Sequence, residues 1–548
     1  MWLPAALRAT AAARGPRDAI RRGPPPADRV ADAQPQPGRL RRAPGADRTA
    51  WAPGRAPPRL WATYRAVARS RYPNALRSVV AGVVFRPTRA GALGPRQQAP
   101  ACSDRCSPLS FALAPRRFLV QVEFWAVTDT GKQRSHNEDN YLIDKNLRLF
   151  VVADGMGGHA AGEVASSLCV RRVRDAVGEN RDIIESFESG RGADRNDVLH
   201  VLEHAVQAAC SAIYERAQEQ PDKRGMGTTC SLLLLTNERG FLAHVGDSRI
   251  YLMRDRQVHQ LSEDHSLVNE LARRGKLRPD QIDSSVYRDF RNAVTRAVGV
   301  YESVEVDTLD FDVLPGDRFV LCSDGLHFYF NELEQMSAVL DHDDVRAATQ
   351  RLVDVANAGG GHDNITAVVV RVAVSAGEEQ RVRDVSLKLE VLKGMPLFSY
   401  LGYKELVRVL NSMQVRDYAE GGSIIREGAP GDELFLILDG EVRLHKGETF
   451  VATLHRGDHF GEMALVDNAP RSASGTASAT ARLLVLRRVD FYEIIRSESA
   501  LSVKLLWSLV QVLVRRLRKT TADLSGARAE AALPDLTSDA FDDTTSNR

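Results

Sequence analysis

The first 117 residues contain no lysine and no glutamate. They hold 22 Arg and 5 Asp, a formal charge of 22 − 5 = +17, and 17 of the chain's 24 prolines. The net charge of the whole is +2, so the remainder carries 2 − 17 = −15. A segment of this composition cannot bury enough apolar surface to offset its chain entropy, and residues 1–117 are expected to be disordered. An Arg-rich, acid-poor opening is also the composition of an organellar transit peptide, or of an arm for nucleic acid or an anionic surface. The reading adopted is plainer: G- and C-rich codons upstream of the true start, so that the segment is not translated at all.

Other absences narrow the class. No stretch approaches the roughly 20 apolar residues that span a bilayer, and no secretory apolar core follows Met1. The six cysteines (Cys102, Cys106, Cys169, Cys210, Cys230, Cys322) are scattered without a C-x-x-C. That argues against a disulfide framework or a zinc site and for buried thiols in a reducing, cytoplasmic setting. What remains is ordinary: 43% hydrophobic and 26% charged residues over a length of 548, enough for about three domain-sized units of about 150 residues.

Order is expected from about Phe118, where FLVQVEFWAV has the β-branched and aromatic content of a strand. From 118 to 374, strand-like runs (LFVVADG, TCSLLLL, GFLAHVGDSR, DRFVLCSDG, NITAVVVRV) flank helix-like runs at 161–177 and 196–218. Pairs of strands around pairs of helices predict a layered α+β domain. Residues 375–386 are polar and short, a linker or the start of a connecting helix. A second domain over 387–524 opens helically, continues in short strands punctuated by glycine, as a β-roll would, and closes on an amphipathic helix at 500–524. The tail 525–548 is acidic and expected to be disordered.

Four aspartates share one placement. Asp154 follows LFVVA, Asp247 follows FLAHVG, Asp324 follows RFVLCS, and Asp363 opens DNITAVVVRV after three glycines. A carboxylate at the mouth of a buried strand is costly unless something positive meets it. Several such groups, if convergent, repel one another until a hard cation binds, and oxygen-only ligands favour Mg²⁺ or Mn²⁺ over zinc. Any one of these aspartates alone reads better as a turn or cap residue; the set of four reverses that weight. The segment TDTGKQRSHNEDNY adds Glu138 and Asp139, suited to holding waters, and Arg134, a planar fork for phosphate oxygens. In isolation it would be a solvated charged loop.

These pieces resemble the metal-dependent (type-2C) serine/threonine protein phosphatases, in their bacterial branch. The matching motifs run in order from R-x-x-N-E-D (134–139) through DGMGGHAAGEVAS (154–166), GMGTT, HVGDSR, LSEDHSLV, NAVTRAVG and CSDGL to GGGHDNIT (359–366). The resemblance implies a four-layer αββα sandwich that hydrolyses phosphoserine and phosphothreonine with two or three Mg²⁺ or Mn²⁺ ions. Asp154 and the Gly155 carbonyl would bind metal, with Asp324 and Asp363 completing the site. Asp247 would share a third ion with Asp324. Glu138 and Asp139 would act through water, and Arg134 would grip the phosphate. Residues 265–296 would form the flap over the cleft. One departure is Met156, which stands where many eukaryotic members carry a histidine proposed as general acid. His136 and His159 are near in sequence, but neither matches that position.

A second resemblance lies in EGGSIIREGAPGDELFLILDGEVRL (420–444) followed by FGEMALVDNAPRSA (460–473), which is similar to cyclic-nucleotide-binding domains. It implies that Glu462 accepts from a ribose 2′-OH, that Arg471 pairs with the cyclic phosphate, and that Ser472 and the backbone after Gly461 add bonds, as helix N-termini do. Cyclic AMP is the expected effector. The partners implied are phosphorylated proteins, substrates of serine/threonine kinases. No helix-turn-helix follows residue 522, so nucleic acid is not expected. The rival reading is a phosphatase-fold scaffold whose sensor alone signals; intact Arg134, Asp154, Asp324 and Asp363 argue against it.

Overall fold

Runs of Val, Leu, Ile and Phe too apolar for one solvated face dictate two sheets packed against each other. The computed structural model describes residues 120–157, 161–277, 293–374, 377–497 and 499–531. The arm 1–117 and residues 532–548 therefore lie outside the described residues. One sheet has the order β1 (Val122–Asp129), β11 (Ile365–Val372), β10 (Arg318–Cys322), β7 (Arg249–Arg254), β8 (Gln257–Gln260). The other has β2 (Asp139–Asp144), β3 (Leu149–Met156), β5 (Cys230–Leu235), β6 (Arg239–Val245), β9 (Asp307–Asp312), with the two-residue β4 (Gly227–Thr228) beside β3. All pairings are antiparallel. Phe150, Val152, Leu233, Leu252, Phe319 and Val368 interdigitate between the sheets.

The opposite face of each sheet is equally apolar, so each is covered by helices. α1 (Ala161–Glu179) and α3 (Arg195–Glu219) bury Val173, Leu202 and Ile213 on the outer face of the second sheet, with α2 (Arg181–Ser189) beside them. The outer face of the first sheet meets α6 (Leu333–Leu340) and α7 (Val345–Ala358) through Met336, Leu352 and Val353. The αββα order follows. α3 starts at a capping box: the Asp194 carboxylate accepts from the N–H groups of Asn196 and Asp197, and Asp197 accepts from that of Asp194. Two short helices lie near the strand mouths, α4 (Leu267–Arg273) and α5 (Asp324–His327).

The second domain is a roll of two four-stranded sheets. One has the order β12 (Gln414–Tyr418), β19 (Ala481–Arg487), β14 (Glu433–Asp439), β17 (His459–Phe460), and the other β13 (Ser423–Ile425), β18 (Ser474–Ala477), β15 (Val442–Lys446), β16 (Thr449–Leu454). Helices α8 (Glu379–Gly394), α9 (Tyr403–Asn411), α10 (Arg488–Ser497) and α11 (Ser499–Ala531) share one apolar core with it, around Phe398, Leu436, Leu484, Phe491 and Leu505. One boundary differs from the sequence reading, and one open choice is decided. Of the two readings of 375–386, linker or start of a connecting helix, residues 379–386 take the second, as the first turns of α8. There Arg381 reaches back to the carbonyls of Glu238 and Val313 in the phosphatase-like domain. Residues 525–531, read as tail, continue α11, because SGARAEA holds good helix formers.

The two domains are joined mainly by α9. Leu406 and Val409 face the core of the second domain, while Val407 enters the core between the two sheets of the first. On that same face Tyr403 stacks on His259 at 4.1 Å and accepts from Arg254. Asn411 donates to the Asp310 carbonyl at 2.7 Å and accepts from Arg239 at 2.8 Å. Arg254 is almost fully buried and makes a two-pronged bond with buried Asp317 at 2.8 and 2.6 Å. Arg254→Ala would strand that carboxylate in the interior. We expect it to cost about 3–5 kcal/mol, read as a fall in denaturant midpoint at unchanged m-value, and to loosen the sensor as well, because Tyr403 loses its donor.

Candidate active site

Strand ends bring the predicted carboxylates together. β2 and β3 pair so that Asp139 lies directly opposite Asp154. β10 ends at Cys322, which puts Ser323 and Asp324 at the same rim, and β11 begins just after Asp363 and Asn364. Asp247 follows β6. Backbone fit demands glycine twice here. A Cβ on Gly155 would lie 2.2 Å from the Gly162 carbonyl oxygen and 2.6 Å from that of Glu138. One on Gly325 would lie 2.1 Å from the Asn364 carbonyl.

The electrostatics are those of a site built for cations. Burial and then the charges of Asp139, Asp324, Asp247 and Asp363 push the Asp154 carboxyl well above its ordinary range. Burial raises Asp139 to about 7, against the opposing bonds of Ser323 and Thr366. Burial, then Asp324, raises Asp247 to about 7; burial, then Asp363, raises Asp324 to about 6. Glu138 is raised too, by burial, which the Gly162 N–H and Arg134 partly offset. Asp139 Oδ1 and Asp324 Oδ1 are buried without a hydrogen-bond partner. An unpaired buried oxygen costs about 1–3 kcal/mol, and a divalent ion removes that cost and the mutual repulsion together.

Among the described residues, no three His, Cys, Asp or Glu side chains form a ready-made metal cage. The donors present, carboxylates and one strand-end carbonyl, fit a hydrated hard cation. Asp154, Asp247 and Asp324, with the Gly155 carbonyl, supply such donors at this rim, and Asp363 joins them beside Arg134.

Arg134 sits at the rim, half exposed, and bonds Asp363 at 2.7 Å. Asn364 ties this loop down: it accepts from the Glu138 N–H and donates to the carbonyls of Thr130 and His136. Ser323 donates to Asp139 at 2.7 Å and accepts from the Thr366 N–H. The Asp247 carbonyl accepts from His327. Asn364, Ser323 and His327 were not singled out from the sequence, although the first two are neighbours of Asp363 and Asp324. His159, considered for the missing acid, lies outside the described residues. A cavity of about 1250 Å³ opens beside the cluster, lined by Asp247, Asp324, Asp363, Val268 and Phe328.

In the second domain, Gly461 has φ +80°, and a Cβ there would press on Arg471. Glu462 opens a single 3₁₀ turn, Glu462–Leu465. Arg471 is buried against the Phe435 ring and donates to the carbonyls of Gly461 and Glu433. Glu462, also buried, is bonded by Arg516 from α11, a residue the sequence reading did not identify. Ser472 lines the same pocket, which measures about 130 Å³.

Comparison with known families agrees with both halves. Residues 130–366 match the family described as Protein phosphatase 2C, and residues 415–498 match the Cyclic nucleotide-binding domain family. The serine/threonine phosphatase Stp of Listeria monocytogenes is 35% identical over 262 residues, 47% of this chain and 98% of that protein. The chain belongs to the protein phosphatase 2C family. It carries a cyclic-nucleotide-binding domain behind the phosphatase domain, and the four-layer sandwich and β-roll are the folds expected of the two. The serine/threonine protein phosphatase PstP of Mycobacterium tuberculosis is 33% identical over 303 residues. That match covers 51% of this chain and 55% of PstP, so the chain spans about half the length of this relative. A crystal structure of the PstP catalytic domain in complex with two manganese ions is 35% identical, with TM-score 0.39, over 47% of this chain and all of that one. Among the described residues, no helix is long and apolar enough to cross a membrane.

Proposed function

We propose that this chain is a metal-dependent phosphatase of phosphoserine and phosphothreonine in proteins, and that cyclic AMP bound by its second domain sets its rate. The observation that carries the catalytic half is the convergence of Asp139, Asp154, Asp247 and Asp324 at one rim, each pushed up by burial and by its neighbours, two with unpaired buried oxygens. Two divalent ions, when bound, supply Lewis acidity and a water made nucleophilic at neutral pH. The chain's own residues do the rest. Asp154, Asp324 and Asp363 fix where positive charge sits, Arg134 reaches from the rim to the phosphate oxygens, and Asp139 and Glu138 orient water by accepting its protons in hydrogen bonds. No protein nucleophile is needed. Cys169, Cys210, Cys230 and Cys322 are buried, with burial pushing Cys322 up to about 12. Ser248 is buried and bonded to Thr229.

The regulatory half rests on Glu462 and Arg471 side by side in one pocket. At about 130 Å³ that pocket is small beside the roughly 300–1,000 Å³ of ordinary ligand sites. Arg516 occupies Glu462, so a ribose hydroxyl would have to take its place. Nucleotide entry would then release α11 at that point and favour a different placement of the helix. Such a ligand biases activity only through its differential affinity for the two states, commonly 5- to 150-fold. The direct test of the catalytic half is hydrolysis of a phosphothreonine peptide before and after EDTA. We expect loss on chelation and recovery with Mn²⁺; a rate indifferent to both would refute it.

A further inference from the structure

Lys404 belongs to the sensor's helix α9, yet its side chain ends inside the phosphatase domain. The side chain is only 12% exposed, and its ammonium makes no hydrogen bond. It lies 3.7 Å from Glu263 and 3.9 Å from Asp307. Burial of an ammonium that far from water is unfavourable unless carboxylates surround it. Here burial, and then neighbouring Arg408, lower its proton affinity, while Asp307 and Glu263 restore part of it.

The two carboxylates are well placed to transmit position. Glu263, Asp264, His265 and Ser266 form one strip stitched to the loop that carries Asp247. The His244 ring, neutral because burial lowers it to about 3, donates to the Glu263 carbonyl at 3.1 Å. His265 N–H donates to the Gly246 carbonyl at 2.8 Å, and the Gly246 N–H returns a bond to His265 Nδ1 at 3.1 Å. That leaves the ring proton on Nε2, facing Asp307 at 3.4 Å. Asp264 takes both prongs of Arg249, at 2.9 and 2.7 Å. At its far end the strip caps helix α4: Ser266 Oγ accepts from the Asn269 N–H. Val268, Asn269 and Ala272 of α4 then line the same cavity as Asp247, Asp324 and Asp363.

We propose that Lys404 is a positioning residue of the phosphatase supplied by the sensor, holding the Glu263–Ser266 strip and so the α4 wall of the catalytic cleft. This rests on the phosphatase reading above but not on the regulatory one. A small phosphoester contacts only the bottom of the cleft, whereas a phosphopeptide must also lie against its wall. The consequence is a split between the two substrates. With the full chain and Mn²⁺, Lys404→Met is expected to raise KM for a phosphothreonine peptide about fivefold. It should leave kcat for p-nitrophenyl phosphate within twofold of wild type. Lys404→Arg, which keeps the charge and nearly the reach, is expected to restore the peptide KM. Melting temperature, read in parallel, separates folding from positioning. If Lys404→Met does not fold, Glu263→Gln removes the same pairing from the other side, together with the Arg273–Glu263 contact at 3.4 Å; a split there that Arg273→Met does not reproduce is expected. An unchanged peptide KM in folded Lys404→Met or Glu263→Gln would overturn the proposal, as would equal losses on both substrates that Lys404→Arg fails to repair. No EDTA-sensitive hydrolysis in wild type would remove the phosphatase reading and this one with it. Ordinary wild-type activity with no split would remove this one alone.

Discussion

Asp154→Asn is expected to lower the phosphatase rate by at least a thousandfold while leaving the fold intact. Asp154 lies two residues before the end of β3, with its N–H donating to Thr229 Oγ1 at 2.9 Å and its carbonyl accepting from Thr228 and Thr229. The backbone is therefore held independently of the carboxylate, and asparagine has the same shape. What changes is charge. Burial and four neighbouring carboxylates push the Asp154 carboxyl well above its ordinary range. A cation at this rim would favour its ionised form. Removing one negative charge from a two-metal site removes both metal affinity and transition-state stabilisation, effects commonly worth several kcal/mol. In the absence of metal, folding at neutral pH must protonate this carboxyl, which is ionised in the unfolded chain, and asparagine avoids that cost, so apo Asp154→Asn should melt no lower than apo wild type. Single-turnover assays at saturating Mn²⁺, with thermal unfolding in EDTA, check both halves. A variant turning over at near the wild-type rate would defeat the assignment.

The second large effect is expected from Arg471→Ala. Arg471 is the buried cation of the nucleotide pocket, placed by Phe435 beneath it and by the carbonyls of Gly461 and Glu433. Burial, the first influence on it, lowers its proton affinity, and the charges of Glu433 and Asp432 partly offset that. A buried guanidinium whose partners are two neutral carbonyls has charge to spare for a phosphate. Deleting it takes away the buried cationic partner of the anion, a loss of about 2–5 kcal/mol and so at least 30-fold in Kd. Titration calorimetry with cyclic AMP reads the affinity directly. The same variant should abolish any change of phosphatase rate on adding cyclic AMP, while its basal rate remains that of wild type. Arg516→Ala should move the other way, tightening cyclic AMP, because the ligand no longer competes with Arg516 for Glu462. Tight binding in Arg471→Ala would end the proposed role of this pocket. Tight binding in wild type with an unchanged phosphatase rate would confine the sensor to a role other than rate control.

Much of this was legible in the linear chain because the chemistry is written at strand ends. An aspartate after a run such as LFVVA or RFVLCS has only one place to go when the run is buried, the rim of the sheet. Four such rims on one domain suggest a shared site before any pairing is known. The helices at 161–177 and 196–218 and the glycine-punctuated roll were likewise visible, since period and turn chemistry are local properties. The antiparallel register that sets Asp139 opposite Asp154 was not, because register depends on which strands meet. Nor was the role of Asn364, whose amide spans more than 220 residues of sequence to hold the Arg134 loop.

The sequence by itself determined the residue types at both sites, the order of the two domains and the apolar content of their layers, since each is decided within a few residues. Tertiary structure alone decided how the domains touch. α9 is a short amphipathic helix by pattern, and pattern cannot say that its Val407 serves one core and its Leu406 and Val409 another. Nor can it say that Lys404 would be buried between Glu263 and Asp307, or that Arg516 would close on Glu462. Those charges lie far from their partners in sequence, and only the packing of the elements that carry them brings them together.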